Sequence, residues 1–136
     1  MSDADDRRQL QDVMLSYAAA VDDRDMARYR ACFAEDAEIV GFGEEAITGA
    51  DAWTTSVEGQ LDAFSSTQHL MSPQLAFITG NTASARTDVQ ALHVLKDRNG
   101  AMFTLWATYL TDFVRTDEGW KINRHELVIR GTQQTT

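Results

Sequence analysis

An imidazole and a carboxylate that two rigid elements can bring into one pocket carry the chemistry of this chain. His69 belongs to Thr67-Gln68-His69 at the opening of a strand-like run, and Asp22 to Val21-Asp22 at the end of a helix-like segment. A carboxylate held against an imidazole fixes the tautomer of the ring and stabilises its charged form, and the ring then takes or gives a proton. Around this pair stand further candidates for acid–base or substrate-binding roles. His93 alternates with Val89, Ala91 and Leu95 and shares their face. His125 lies in the run Arg124-His125-Glu126, where alternate residues face inward, so a slip of one residue in register puts Arg124 there instead. Tyr17 sits on the apolar stripe of the helix that ends at Asp22, and a buried tyrosine needs a partner for its hydroxyl. Tyr109 shares a strand face with Phe103, Leu105 and Ala107 and reads as a lining residue. Each has a plainer alternative: Asp22 as a helix cap, the histidines and tyrosines as satisfied core groups.

The elements that must position these residues follow from periodicity. Residues from about 5 to 24 form an amphipathic helix with Leu10, Val13, Met14, Tyr17 and Val21 on one stripe, interrupted at Asp22-Asp23-Arg24-Asp25. A shorter helix runs through Met26, Tyr29 and Phe33. Ala34-Glu35-Asp36-Ala37 reads as a turn into a strand from Glu38 to Phe42, and a third helix spans about Ala50 to Phe64. From Thr67 the chain is β-rich. A strand from about His69 to Ile78 is interrupted or bent at Pro73, because proline cannot donate to a ladder. Long strands follow at Thr82 to Leu95, Ala101 to Arg115 and Trp120 to Arg130, joined by Asp97-Arg98-Asn99-Gly100 and Asp117-Glu118-Gly119. The Thr/Gln-rich tail after Gly131 reads as loose. Three helices and then long hairpins imply an α+β fold, a cone-shaped and strongly curved antiparallel sheet covered by the helices.

At 136 residues the chain is one domain, 1–136. A formal charge of −9 opposes nucleic acid as a partner, since phosphate binding needs clustered Lys and Arg. No apolar run approaches a membrane span. An acidic start without a signal-peptide pattern, and Cys32 as the one cysteine, point to the cytoplasm. The histidines show no HxH or HExxH spacing and Gly41-Phe42-Gly43 lacks the rest of a nucleotide loop, so neither metal nor cofactor is expected.

Three landmarks together resemble the SnoaL-like branch of the nuclear-transport-factor-like superfamily. They are Tyr17 to Asp25 with Phe33-Ala34-Glu35-Asp36-Ala37, then Thr67-Gln68-His69, then Gly119-Trp120-Lys121-Ile122. The resemblance covers a core of about 5–131 and implies a cystatin-like α+β half-barrel. Its members nearest in pattern are scytalone dehydratase, the hexachlorocyclohexane dehydrochlorinase and the bile-acid dehydratase, cofactor-free lyases that use an Asp–His pair. By position Asp22 and His69 match that pair. Tyr17 is similar to a catalytic tyrosine and His93 to a second pocket histidine. His125, or Arg124, falls where the dehydrochlorinase has an arginine. Val21, Ala107 and Tyr109 depart from the lining of scytalone dehydratase, which argues against its naphthol-type substrate.

These readings converge on a cofactor-independent lyase or isomerase with a small, apolar, cyclic substrate, dehydration being the first expectation and isomerisation the second. The alternative is a non-catalytic ligand-binding or structural subunit similar to the small subunit of a ring-hydroxylating dioxygenase. A homo-oligomer, trimer or dimer, is expected, with Trp106, Leu110 and Leu127 on an outer sheet face.

Overall fold

Ser2 starts the first helix by accepting a hydrogen bond from the Asp5 backbone, and Asp3, Asp5 and Asp6 place negative charge at the positive end of the helix dipole. The computed structural model describes residues 2–135. In it this helix, α1 (Asp3–Asp22), precedes α2 (Met26–Arg30), β1 (Phe33–Val40), β2 (Ile47–Thr48) and α3 (Ala50–Leu61). Then come β3 (Phe64–Met71), β4 (Leu75–Thr79), β5 (Thr82–Leu95), β6 (Met102–Thr116) and β7 (Gly119–Gln134). The strands make one curved, unclosed sheet in the order β2-β1-β7-β6-β5-β3, with β4 also paired to β5. Leu10, Met14, Tyr17 and Val21 of α1 and Trp53, Val57 and Leu61 of α3 bury against its concave face. No helix among the described residues is long and apolar enough to cross a membrane.

Pro73 falls in the gap between β3 and β4, which lie end to end along the same edge of β5. Proline there costs no ladder bond. Two irregularities in the β6–β7 pairing leave Asn123 and Arg130 as extra residues on β7. Such bulges add bend and twist and shift which residues face inward beyond them. Gly41, at φ 87°, closes the end of β1 where any Cβ would collide with the Leu127 backbone carbonyl.

Several boundaries differ from the sequence reading. Ala34 to Ala37 is strand rather than turn, because Phe33, Ala37 and Ile39 bury while Glu35, Asp36 and Glu38 face water. The third helix ends at Leu61, and Phe64 opens β3. One pairing, β1 with β7, runs parallel. The tail beyond Gly131 is ordered strand to Gln134, since Phe103 to Leu105 of β6 pair with it and Met102 donates to Thr135 Oγ1. Leu127, expected outside, faces inward and is buried, as the bulge at Asn123 resets the alternation. Trp106 lies on the outer face with Leu110.

Asp6 ties α1 to the β6–β7 hairpin. Its carboxylate accepts from Arg115 at 2.8 and 3.0 Å and from the Trp120 indole at 3.1 Å, and the Arg115 guanidinium sits 4.4 Å over the Trp120 ring. The Arg115 hydrogen bond foremost, with that of Trp120, brings the carboxyl down to about 2. A carboxyl depressed in the folded state stabilises above its ordinary range and loses that contribution as pH falls through the folded value. Asp6→Asn should therefore lower Tm at neutral pH and little near pH 2, as read by thermal melts across that window.

Candidate active site

The end of α1 is built so that Asp22 points away from the helix. Arg24 turns into the left-handed region at φ 60°, its N–H reaching the Val21 carbonyl at 3.1 Å while Asp25 N–H reaches Ala20 at 2.8 Å. That conformation costs a non-glycine residue about 1–2 kcal/mol. Asp25, not Asp22, caps α2 by accepting from the Arg28 backbone at 3.1 Å. The carboxylate of Asp22 is left for β3.

There it meets His69. The ring Nδ1 lies 2.8 Å from Asp22 Oδ1, and the His69 backbone N–H donates to Oδ2, also at 2.8 Å. The Thr67 hydroxyl donates to Oδ1 at 3.0 Å. Both oxygens are thus engaged, and the carboxylate cannot rotate without losing a bond. Burial alone would raise the Asp22 carboxyl, but the hydrogen bonds from the His69 ring and backbone and from Thr67 outweigh it and hold the group below its ordinary value. With Nδ1 committed to the carboxylate, a neutral His69 carries its lone pair on Nε2. His69 is 11% exposed and Asp22 20%, so the pair is largely withdrawn from bulk water.

His69 lines a cavity of about 280 Å³ between α1, α3 and the concave sheet. Its walls are mostly apolar: Val21, Phe42, Val57, Leu61, Leu105 and Leu127 among them. Other hollows of similar volume lie elsewhere, such as one of about 310 Å³ between α1, α2 and the β6–β7 turn. The cavity at His69 is the one where histidines and tyrosines converge. His93 stands beside His69, ring centroids 6.1 Å apart and edge to face. Its Nδ1 donates to the Phe103 carbonyl at 3.1 Å, leaving Nε2 as an acceptor. Burial lowers the basicity of His93, although that carbonyl works in the opposite direction.

A buried polar network forms another wall. The Trp53 indole donates to the Tyr29 hydroxyl at 2.9 Å, and the Tyr17 ring packs against those of Tyr29 and Tyr109, with centroids 5.0 and 5.5 Å away. Nε2 of His125 lies 3.0 Å from the Tyr17 hydroxyl and Nδ1 lies 3.0 Å from Thr111 Oγ1. Burial raises Tyr17 and Tyr109 well above the ordinary phenol value and brings His125 down to about 3. These groups are neutral at physiological pH. The negative charge of Asp22 also contributes to raising Tyr109, across the site from the pair.

Of the residues singled out from sequence, Asp22 and His69 meet, and His93 lies beside them. Tyr17 and Tyr109 reach the same cavity, and His125 stands behind Tyr17. Arg124 does not: it is on the outer face, bonded to Glu38 at 3.1 Å and Glu126 at 3.0 Å. The bulge at Asn123 decides this, turning His125 inward although Ile122 is inward too. Trp53 and Phe64 line the cavity as well. Sequence reasoning missed Thr67, Tyr29 and Thr111. Thr67 was within reach, since it lies two residues from His69 on the same strand face. Among the described residues no three His, Cys, Asp or Glu side chains are grouped to hold a metal ion.

Comparison with known proteins agrees with this architecture. The SnoaL-like domain matches residues 2–126. An uncharacterized protein of Mycobacterium tuberculosis is 29% identical over 133 residues, covering 91% of this chain and 85% of its own. A presumed scytalone dehydratase of Novosphingobium aromaticivorans superposes with a TM-score of 0.86 at 27% identity, over 95% of this chain and 87% of that one. Hexachlorocyclohexane dehydrochlorinase type 3 of Novosphingobium barchaimii superposes with a TM-score of 0.83, over 96% of this chain and 90% of that one. At 18% identity the dehydrochlorinase shows the shared fold alone.

Proposed function

The chain belongs to the SnoaL-like domain family, and on that premise we propose a cofactor-independent lyase or isomerase working through Asp22 and His69. The observation that carries the reading is the 2.8 Å contact between Asp22 Oδ1 and His69 Nδ1 at the edge of the cavity. His69 Nε2 removes a proton from carbon next to a carbonyl, and the electron pair passes toward the carbonyl oxygen. In a dehydration that pair then forms the carbon–carbon double bond while the imidazolium proton leaves with the departing hydroxyl as water. In an isomerisation a double bond beyond that carbon shifts toward it and the same proton returns at the far end of that bond. Asp22 stabilises the imidazolium between the two steps.

The wall opposite the base suits the oxygen. Tyr17 and Tyr109 are neutral donors in a dry site, where a hydrogen bond to developing negative charge is strongest. His125, held neutral, orients Tyr17 rather than carrying the proton. No Lys or Arg lines the cavity among the described residues, which favours an uncharged substrate over a carboxylate or a phosphate. A volume of about 280 Å³ is at the small end for ligand sites and favours a compact cyclic ketone or hydroxyketone. A thermal-shift screen of such compounds tests the reading: binders should raise Tm, and at least one should be turned over.

We also propose that the protein self-associates through the outer sheet face, as a dimer or trimer. Leu75 on β4, Arg86 on β5, Leu110 on β6 and Glu126 on β7 lie in one row across that face. Leu75 and Leu110 are exposed, as are Leu70 and Phe77. A row carrying apolar groups and both charges can complement a second copy of itself. Sedimentation at micromolar concentration should give two or three times 15.2 kDa, whereas the single mass alone contradicts it.

A further inference from the structure

Arg24 occupies the left-handed position just beyond α1, where glycine or asparagine is the usual residue. Helix termination therefore does not explain an arginine there, and its guanidinium does have a task. Nη1 donates to the Val21 carbonyl at 2.7 Å and to the Thr67 hydroxyl at 2.8 Å. Thr67 is 6% exposed, and its single proton goes to Asp22 Oδ1. Arginine only donates and a carboxylate only accepts, so the direction of this chain is fixed: Arg24 to Thr67, Thr67 to Asp22. Oδ1 is the oxygen that also faces His69 Nδ1.

We propose that Arg24 and Thr67 are positioning residues of this site, a clamp that holds the Asp22 carboxylate in the orientation that keeps the His69 proton on Nδ1. The inference rests on the Asp22–His69 reading above and adds the side chains that make the pair rigid. The backbone turn at Arg24 aims the guanidinium back at β3, and β3 brings Thr67 to the same face as His69. Two elements far apart in sequence are joined at this point. Without the clamp the carboxylate keeps two bonds from His69 but loses the third point that stops it from swinging, and the ring can then exchange protons between its nitrogens. His93 from β5 and Tyr109 from β6 also bear on this pair and are unchanged in the variants below.

Nitrogen-15 NMR of the histidine rings reads the tautomer directly, and carbon-13 NMR reads the titration of the Asp22 carboxyl, so neither needs a substrate. In the unsubstituted protein His69 should be protonated on Nδ1. Thr67→Val and Arg24→Gln should each move part of that population to Nε2, and Thr67→Val should raise the carboxyl midpoint by about half a unit or more. Thr67→Ser and Arg24→Lys, which keep the donors, should restore both signals. If Thr67→Val fails to fold, Arg24→Gln at an exposed position reports the same tautomer. With a substrate in hand, the two disabling variants should lower kcat about tenfold with KM little changed. Folded Val and Gln variants with the tautomer and carboxyl titration of the unsubstituted protein would overturn the clamp while leaving the pair intact. A ring protonated on Nε2 in the unsubstituted protein would instead remove the pair itself, and the clamp with it.

Discussion

Replacing His69 with alanine should lower kcat by ~100-fold or more, the range lost when general acid–base assistance is removed. Asp22→Ala should cost nearly as much, and the double variant little more than either alone, because the two side chains act as one unit. The geometry gives the reason. Asp22 Oδ1 fixes His69 Nδ1 at 2.8 Å, so without the carboxylate the ring can turn or change tautomer and present the wrong nitrogen to the substrate. Without the ring, the carboxylate retains the Thr67 bond and the backbone bond, but the group that takes the substrate proton is gone. Steady-state kinetics on the first substrate found would measure this. KM should change far less than kcat, since the apolar walls bind substrate and transition state alike.

Stability should fall steeply as the solution is acidified below about pH 6.5, well before most carboxylates titrate. His125 is fully buried between Tyr17 and Thr111, and burial brings its folded value down to about 3. Once unfolded, the ring titrates near its ordinary 6.5. The sign follows from linkage: below 6.5 the unfolded chain binds a proton that the folded chain refuses, so the contribution is complete above 6.5 and is lost down to about 3. Over that window the loss reaches roughly 4 to 5 kcal/mol, a large part of a typical 5–15 kcal/mol. His93, also lowered by burial, adds in the same direction. Urea denaturation between pH 6 and 4.5 isolates the histidines from the carboxylates. His125→Gln should be less stable at neutral pH, because the buried Tyr17 and Thr111 groups lose their shared partner. It should also flatten the pH slope by about 1.4 kcal/mol per unit. An unchanged slope would show that the ring gains its proton in the folded state.

Sequence carried the fold far, because long periodic segments dictate their own structure. The stripe from Leu10 to Val21 specified α1, and the run from Thr82 to Leu95 specified β5 with its inward Ala85, Val89 and Ala91. Asp22 and His69 were legible as a pair, since one ends a helix and the other sits on the inward face of a strand. Where reading failed, the causes were tertiary. Nothing local marks Asn123 or Arg130 as bulges, yet the bulge at Asn123 turns His125 inward and sends Arg124 and Leu127 to faces opposite those a simple count gives. The tail beyond Gly131 has weak strand propensity and is ordered by its partner β6. The Trp53–Tyr29–Tyr17–His125 cluster joins three helices and a strand, so no spacing in the chain could reveal it.

The central claim is that His69 removes a proton from bound substrate, and exchange of carbon-bound hydrogen in D2O tests it without requiring elimination to follow. Cyclic ketones that raise Tm would be incubated with the protein, and the signal of the hydrogens beside the carbonyl followed by proton NMR. The protein should speed loss of that signal for at least one such ketone, and His69→Ala, folded and still binding the ketone, should not. Equal exchange by the His69→Ala protein, or none with any ketone shown to occupy the cavity, would contradict the assignment of His69 as the base.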